Sequence, residues 1–257
     1  MKWVRPGHPE YDERRKLFNA MIDRHPAVIA QCGTPAEVAE ALAYARTHGL
    51  DVAVRAGGHS VAGMSLNDGG LVVDVRPMKS ARVDPEARTA TVGAGLTCGE
   101  FDRATQEYGL AITGGRVSTT GLAGFTLGGG SGWLERAFGF ACDDLVSVDL
   151  VTAAGEQVTA SAGENPELFW ALHGGGGNFG VATSFTFGLH PLGPKVHAGL
   201  LMWPGDAAAE LSRGYRELAL AAPNEESATL IYAIAPAEPF VPPNMVGKMA
   251  VCVVYVF

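Results

Sequence analysis

The chain has 257 residues, 47% of them hydrophobic and 18% charged, which describes a globular protein with one large domain or two modest ones and excludes a fibrous or low-complexity chain. A formal net charge of −8 argues against nucleic acid or an anionic membrane surface as a partner, since neither would attract it. Cys32, Cys98, Cys142 and Cys252 are scattered with no Cys-x-x-Cys pair, so no zinc site, redox dithiol or disulfide framework is expected. No apolar run reaches membrane-spanning length, and the start Met1 to His8 lacks a signal-peptide core; a reducing, cytoplasmic setting is expected.

Residues 1–25 are polar and charged, and Tyr11 to Asn19 reads as an amphipathic helix within an N-terminal arm. Ala27 to Cys32 predicts a short strand. Thr34-Pro35-Ala36-Glu37 then offers a cap, a proline at the first helical position and an acid in the first turn. Val38, Ala41, Leu42 and Ala45 repeat at helical spacing until Gly49. The β-branched runs Leu50 to Val54 and Leu71 to Val75 predict strands on either side of a glycine loop. Asp84 to Arg88 is a turn before a strand over Thr89 to Ala94, and Thr97 to Tyr108 is a helix ended by Gly109. Further strands are expected over Asp143 to Thr152, Gln157 to Ala160 and Val181 to Phe187, with a short helix opened by Asn165-Pro166-Glu167. Beyond His190 to Pro194 the character changes. Gly199 to Trp203, Thr229 to Ile234 and Lys248 to Phe257 read as strands, and Ala207 to Ala221 as a helix.

Glycine is abundant, 34 of 257 or about 13%, against a usual share of about 7%. It concentrates at 114–132 and 174–180, which marks special backbone. The loop Arg55-Ala56-Gly57-Gly58-His59-Ser60, with Gly63 just beyond, lies between two predicted strands. Gly57 and Gly58 let successive N–H groups point one way, a nest for phosphate or pyrophosphate to which Arg55 adds charge. His59 would stand beside whatever carries that phosphate. Taken alone, the hexapeptide equally suits a glycine turn with a surface histidine.

Together, that loop, Asn67 to Asp74, Gly121 to Gly132, Asn165 to Trp170 and Gly174 to Gly180 resemble the berberine-bridge-enzyme-like flavoproteins. These belong to the vanillyl-alcohol-oxidase family with its PCMH-type FAD domain. The motifs lie in order and cover nearly everything from about Tyr11 to about Pro194. The resemblance implies an α+β fold: an N-terminal arm over 1–25, an FAD-binding domain of two α+β lobes over 26–194, and the start of an incomplete substrate domain with an antiparallel sheet over 195–257. In the family that substrate domain runs well past the point matching Phe257, so a truncated chain is expected. An unpaired, apolar sheet edge is expected over 195–257, with Ala250 to Phe257 its most aggregation-prone part.

By the same resemblance, His59 bonds through a ring nitrogen to the flavin 8α-methyl group. The link would prevent dissociation and raise the flavin potential. A second link from a cysteine is expected to be absent, because Val117 stands at the matching place; Cys142 lies too far along and reads as a small buried thiol. Arg55, Ala56, Gly57, Gly58, Ser60 and Gly63 would bind the cofactor, together with Val117, Ser118, Thr119, Thr120, Gly121, Gly124, Gly128 and Gly132. Ser118, Thr119 and Thr120 would donate to diphosphate or ribose, while Asn178, Gly180 and Val181 would close over the adenine end. His173 reads as local packing. Two departures from the family pattern stand out, Arg136-Ala137-Phe138-Gly139-Phe140 and Asp143-Asp144, each losing a polar group. No catalytic base can be assigned, since the family's comes from the region beyond this chain, and no metal is implied.

The leading reading is an FAD-dependent oxidase taking a hydride from an alcohol, sugar or amine, with oxygen as acceptor. A flavin-binding remnant without activity is the alternative. A nicotinamide-dependent reductase of MurB type would share the fold, but the histidine in the phosphate loop opposes it.

Overall fold

The computed structural model describes residues 1–257, which form two compact units: Met1–Gly132 with Gly139–Leu192, and Trp133–Phe138 with Gly193–Phe257. The first unit begins with β1 (Lys2–Val4), α1 (Tyr11–Arg15), β2 (Val28–Gln31), α2 (Pro35–His48), β3 (Val52–Arg55) and β4 (Leu71–Asp74). Their sheet runs β1-β2-β4-β3, with β2 and β3 parallel to β4 and β1 antiparallel to β2. Successive residues of β2 and β4 feed two cores, as strand periodicity requires. Val28, Ala30, Leu71 and Val73 pack with Val38, Ala41, Leu42 and Ala45 of α2. Ile29 and Val72 pack with Val4, Tyr11, Ala53 and Leu66 on the other face. Thr34 Oγ1 accepts from the Glu37 N–H at 3.3 Å to start α2, and Gly49 at φ 62° ends it, as the sequence predicts.

The second lobe holds β5 (Ala81–Asp84), β6 (Thr89–Gly93), α3 (Cys98–Gln106), β7 (Leu110–Ala111) and α4 (Leu122–Leu127). After α5 (Glu135–Phe138), which belongs to the other unit, come β8 (Leu145–Val151), β9 (Gln157–Ser161), α6 (Pro166–Ala171), β10 (Val181–Gly188) and β11 (His190–Pro191). The main sheet is antiparallel, β5-β6-β10-β8-β9, and β11 pairs with β7. Thr97 caps α3 in a reciprocal pair with Glu100. The chain is thus α+β with two lobes, as the sequence predicts.

Two local expectations change. The helix expected over Tyr11 to Asn19 stops at Arg15, because the Arg55 guanidinium takes the Arg14 carbonyl and the Phe18 N–H turns to the Gly58 carbonyl. A short helix, α4, also forms inside the glycine-rich stretch, where the sequence reading placed no element.

The second unit adds β12 (Ala198–Pro204), α7 (Ala208–Ala221), β13 (Ser227–Ile234) and β14 (Met249–Val256), in the order β12-β14-β13. The C-terminal strand is therefore the central one, paired on both sides. The edges within 195–257 are β12 and β13, exposing Leu200, Leu201, Ile231, Tyr232 and Ile234, while the tail Ala250 to Phe257, expected to be the most aggregation-prone part, lies in the middle of the sheet. Arg136 donates to the Ala219 and Ala222 carbonyls at 3.1 and 2.9 Å and caps the end of α7. No helix is long and apolar enough to cross a membrane.

Candidate functional site

The glycine loop leaves the C-terminal end of β3, where Arg55 stands opposite Asp74 of β4. The N–H groups of Gly57, Gly58, His59 and Ser60 have no protein acceptor. Gly58 adopts φ 73°, which only glycine takes without strain. A run of unspent amides turned through a left-handed residue is an anion nest. Gly57 meets Gly121 backbone to backbone: a Cβ on Gly57 would stand 2.6 Å from the Gly121 Cα, and one on Gly121 would stand 2.8 Å from the Gly57 Cα. The two glycine stretches named in the sequence are therefore brought together by the absence of both side chains.

Arg55 is buried beneath this loop at 5% exposure. Its guanidinium donates to the Arg14 and Lys16 carbonyls, its Nε has no partner, and burial lowers its pKa to about 10. Asp74 bonds Arg76 instead, at 2.8 and 2.6 Å. Arg55 is thus a cation without a direct carboxylate partner, set under the nest, and it does not reach into the cavity as a ligand.

His59 stacks on Phe18 at 4.1 Å and 17° between ring planes. Its Nε2 lies 2.9 Å from Thr119 Oγ1, while Nδ1 has no protein partner. Burial pushes the His59 pKa down, so the ring is neutral at neutral pH.

A cavity of about 580 Å³ opens from the nest, within the usual range for small-molecule sites. Of the sequence-predicted residues, Ala56, Gly57, Gly58, His59, Ser60, Thr120, Gly121, Gly124, Gly128, Asn178 and Gly180 line it. Arg55, Gly63, Val117, Ser118, Thr119, Gly132 and Val181 do not. Gly63 packs on Ile22, Gly132 on Thr113 and Gly114, and Val181 pairs with Val151 in the sheet. Val117 is exposed. Gly124, Gly176 and Gly177 also line the cavity, and a Cβ on any of them would stand in open space, with no contact within 4 Å. Sequence reasoning missed Val52 and Val54, which alternate outward along β3 and supply apolar wall, and also Met64 and Phe125. Strand alternation ending at a glycine loop was the one available signal for the two valines.

Four consecutive unspent amides, a buried cation behind them and an apolar wall fit a dinucleotide with a diphosphate and a flat ring system. Phe18 was invisible to spacing because its contact spans the arm and the loop. His173 makes only local contacts, to the Phe169 carbonyl at 2.7 Å and to the Phe169 ring. Cys142 is buried, and burial raises its thiol pKa. The Asp143 carboxylate accepts from the Phe140 N–H at 2.8 Å, and the Asp144 carboxylate bonds His190 Nε2 at 2.6 Å.

Residues 26–161 match the FAD binding domain family. The chain is 36% identical over 200 residues to (R)-6-hydroxynicotine oxidase of Paenarthrobacter nicotinovorans, covering 78% of this chain and 44% of that protein. It superposes on the crystal structure of 6-hydroxy-D-nicotine oxidase from Arthrobacter nicotinovorans with a TM-score of 0.91 and 30% identity, over 99% of this chain and 55% of that one. The berberine-bridge-enzyme-like protein 1 of Physcomitrella patens gives a TM-score of 0.88 at 30% identity, over 100% of this chain and 54% of that one. The chain spans about half the length of the curated relatives it matches. With the nest, the paired glycines and His59 all lining one cavity, the chain belongs to the berberine-bridge-enzyme-like family of FAD-linked oxidoreductases.

Proposed function

We propose that this protein is an FAD-dependent oxidase that carries its flavin through a single covalent link to His59. Its donors would be alcohols, sugars or amines, and oxygen its acceptor. Bound flavin would supply the hydride acceptor and the route for electrons to oxygen. The observation that carries the reading is the loop itself: four unspent amides over the buried Arg55, ending at a neutral imidazole whose Nδ1 is unpartnered.

Each group of residues has a distinct task. The amides of Gly57 to Ser60 hold the diphosphate, and Arg55 balances its charge from below without leaving the Arg14 and Lys16 carbonyls. Val52 and Val54 exclude water from one wall, and Asn178 with Gly180 forms another part of the lining. His59 offers a lone pair in place of a charged ring, because burial disfavours the imidazolium. For the link, His59 would supply the ring nitrogen and bound FAD its methyl carbon, and oxygen would take up the two displaced hydrogens as hydrogen peroxide. Val117 has no sulfur, so no second link forms. Residues 26–194 would serve as the FAD-binding domain, and residues from 195 onward would contribute to the substrate side.

The test is expression with flavin available, followed by acid precipitation and intact-mass measurement. The expected result is protein that stays yellow and heavier by one FAD, with the label on the peptide carrying His59. His59→Ala should release all flavin on denaturation. A label on Cys142, or flavin wholly extractable from the wild type, overturns the covalent assignment. Oxygen consumption with a panel of sugars, amines and secondary alcohols tests turnover; flavin-loaded protein inert toward all of them would leave a binding protein.

A further inference from the structure

We infer that Phe18, on the N-terminal arm, and Thr119, on the loop before α4, are positioning residues that hold the His59 ring for flavin attachment. The inference rests on the covalent reading above. Phe18 is 64% exposed, so the core does not require it. Its ring lies against the His59 imidazole, 4.1 Å away and nearly parallel. The arm is fastened to the loop at successive points. Arg55 holds the Arg14 and Lys16 carbonyls, and the Phe18 N–H donates to the Gly58 carbonyl at 3.2 Å. Asn19 Nδ2 then donates to the Val61 carbonyl at 2.9 Å. Leu17 lies where a side chain on Gly58 would be, its Cδ2 3.2 Å from that Cβ position.

These contacts divide the work on the ring. Stacking by Phe18 fixes the plane of the imidazole. The Thr119 hydroxyl, 2.9 Å from Nε2, fixes the rotation within that plane and leaves Nδ1 as the unengaged nitrogen. Without either contact a neutral imidazole samples several rotamers, and only some present Nδ1 to the cavity. The Arg55 side chain therefore acts on the histidine at second hand, by anchoring the strap that carries Phe18.

The experiment uses apoprotein from flavin-starved cells, reconstituted with excess FAD. Covalent incorporation is followed by intact mass, and non-covalent affinity by flavin fluorescence. Misplacement of a reacting group by about an ångström slows a reaction up to roughly a hundredfold. Phe18→Ala and Thr119→Val are each expected to slow incorporation about tenfold or more, with FAD affinity and unfolding temperature near those of the wild type. Phe18→Tyr and Thr119→Ser should restore most of the rate. Unchanged incorporation in both Phe18→Ala and Thr119→Val overturns the inference. So does a loss of FAD affinity equal to the loss of rate, which would mark a merely structural role. If the wild type binds FAD without any bond, the covalent reading fails first. The ring-holding role is then decided on the apoprotein by the nitrogen-15 shifts of His59. Phe18→Ala and Thr119→Val must move them, and unmoved shifts overturn the inference.

Discussion

Gly124 separates folding from cofactor binding more cleanly than any other position. It sits inside α4 and lines the cavity, and a Cβ placed there meets no protein atom within 4 Å. Gly124→Ala should therefore help the empty protein. Removing glycine from a helix interior is worth about 0.5–1 kcal/mol, and in a domain of this size each kcal/mol moves the midpoint by about 2–4 °C. The apoprotein should gain about 1–4 °C in thermal unfolding. Because Gly124 lines the cavity assigned to the cofactor, the same methyl group should crowd bound FAD. Overpacking of a fitted site costs about 1–3 kcal/mol, so FAD should bind roughly 5- to 150-fold more weakly. Scanning calorimetry of the apoprotein and fluorescence titration with FAD give the two numbers. Gly163→Ala is the control, since it also meets nothing within 4 Å but lies outside the cavity lining. Wild-type affinity in Gly124→Ala would refute the assignment of this cavity to FAD. A lowered apoprotein midpoint would refute the account of α4.

Two further outcomes concern buried carboxylates. Burial raises the Asp102 pKa to about 6, so its charged form is disfavoured in the fold. Below about pH 3 the group is neutral in both states; as pH rises from there through 6 the unfolded chain ionises first and the folded protein resists, so stability falls until both are charged. Asp102→Asn should gain up to about 3 kcal/mol at pH 8 and almost nothing at about pH 3, by denaturant unfolding; an equal effect at both pH values would disprove the burial account. The Asp144 carboxylate is 8% exposed and bonded to His190, with Oδ2 unpartnered. His190→Ala should cost roughly 3 kcal/mol by stranding it, and His190→Ala with Asp144→Asn should recover much of that loss; no recovery would show that the pair is not coupled.

Local signals carried most of the element boundaries. Thr34 with Pro35, Thr97 with Glu100, and the stops at Gly49 and Gly109 act within a few residues of themselves, so a linear reading finds them. The phosphate loop was legible for the same reason, since an Ala-Gly-Gly-His run has few backbone options. What the sequence concealed was the direction of side chains. Arg55 reads as a ligand from its place in the motif, yet its guanidinium is turned back to carbonyls some 40 residues earlier, 41 to Arg14 and 39 to Lys16. Thr119 reads as a cofactor donor, yet its hydroxyl meets His59, 60 residues away. The tail Ala250 to Phe257 reads as aggregation-prone because it is uncharged and β-prone, but those same properties suit the middle of a sheet, where it lies. Composition cannot tell a strand covered on both sides from one left open.

The contact between Gly57 and Gly121 has a consequence for how this fold can drift. Each residue occupies the only space into which the other's side chain could grow. A first substitution at either position must push the facing backbones away from each other, and a second at the partner makes the crowding worse. No ordered pair of single changes leads out of the arrangement without passing through a sequence in which the facing loops are wedged open. The only gradual exit is a change in loop length, which slides one strand of backbone away from the other before any side chain appears.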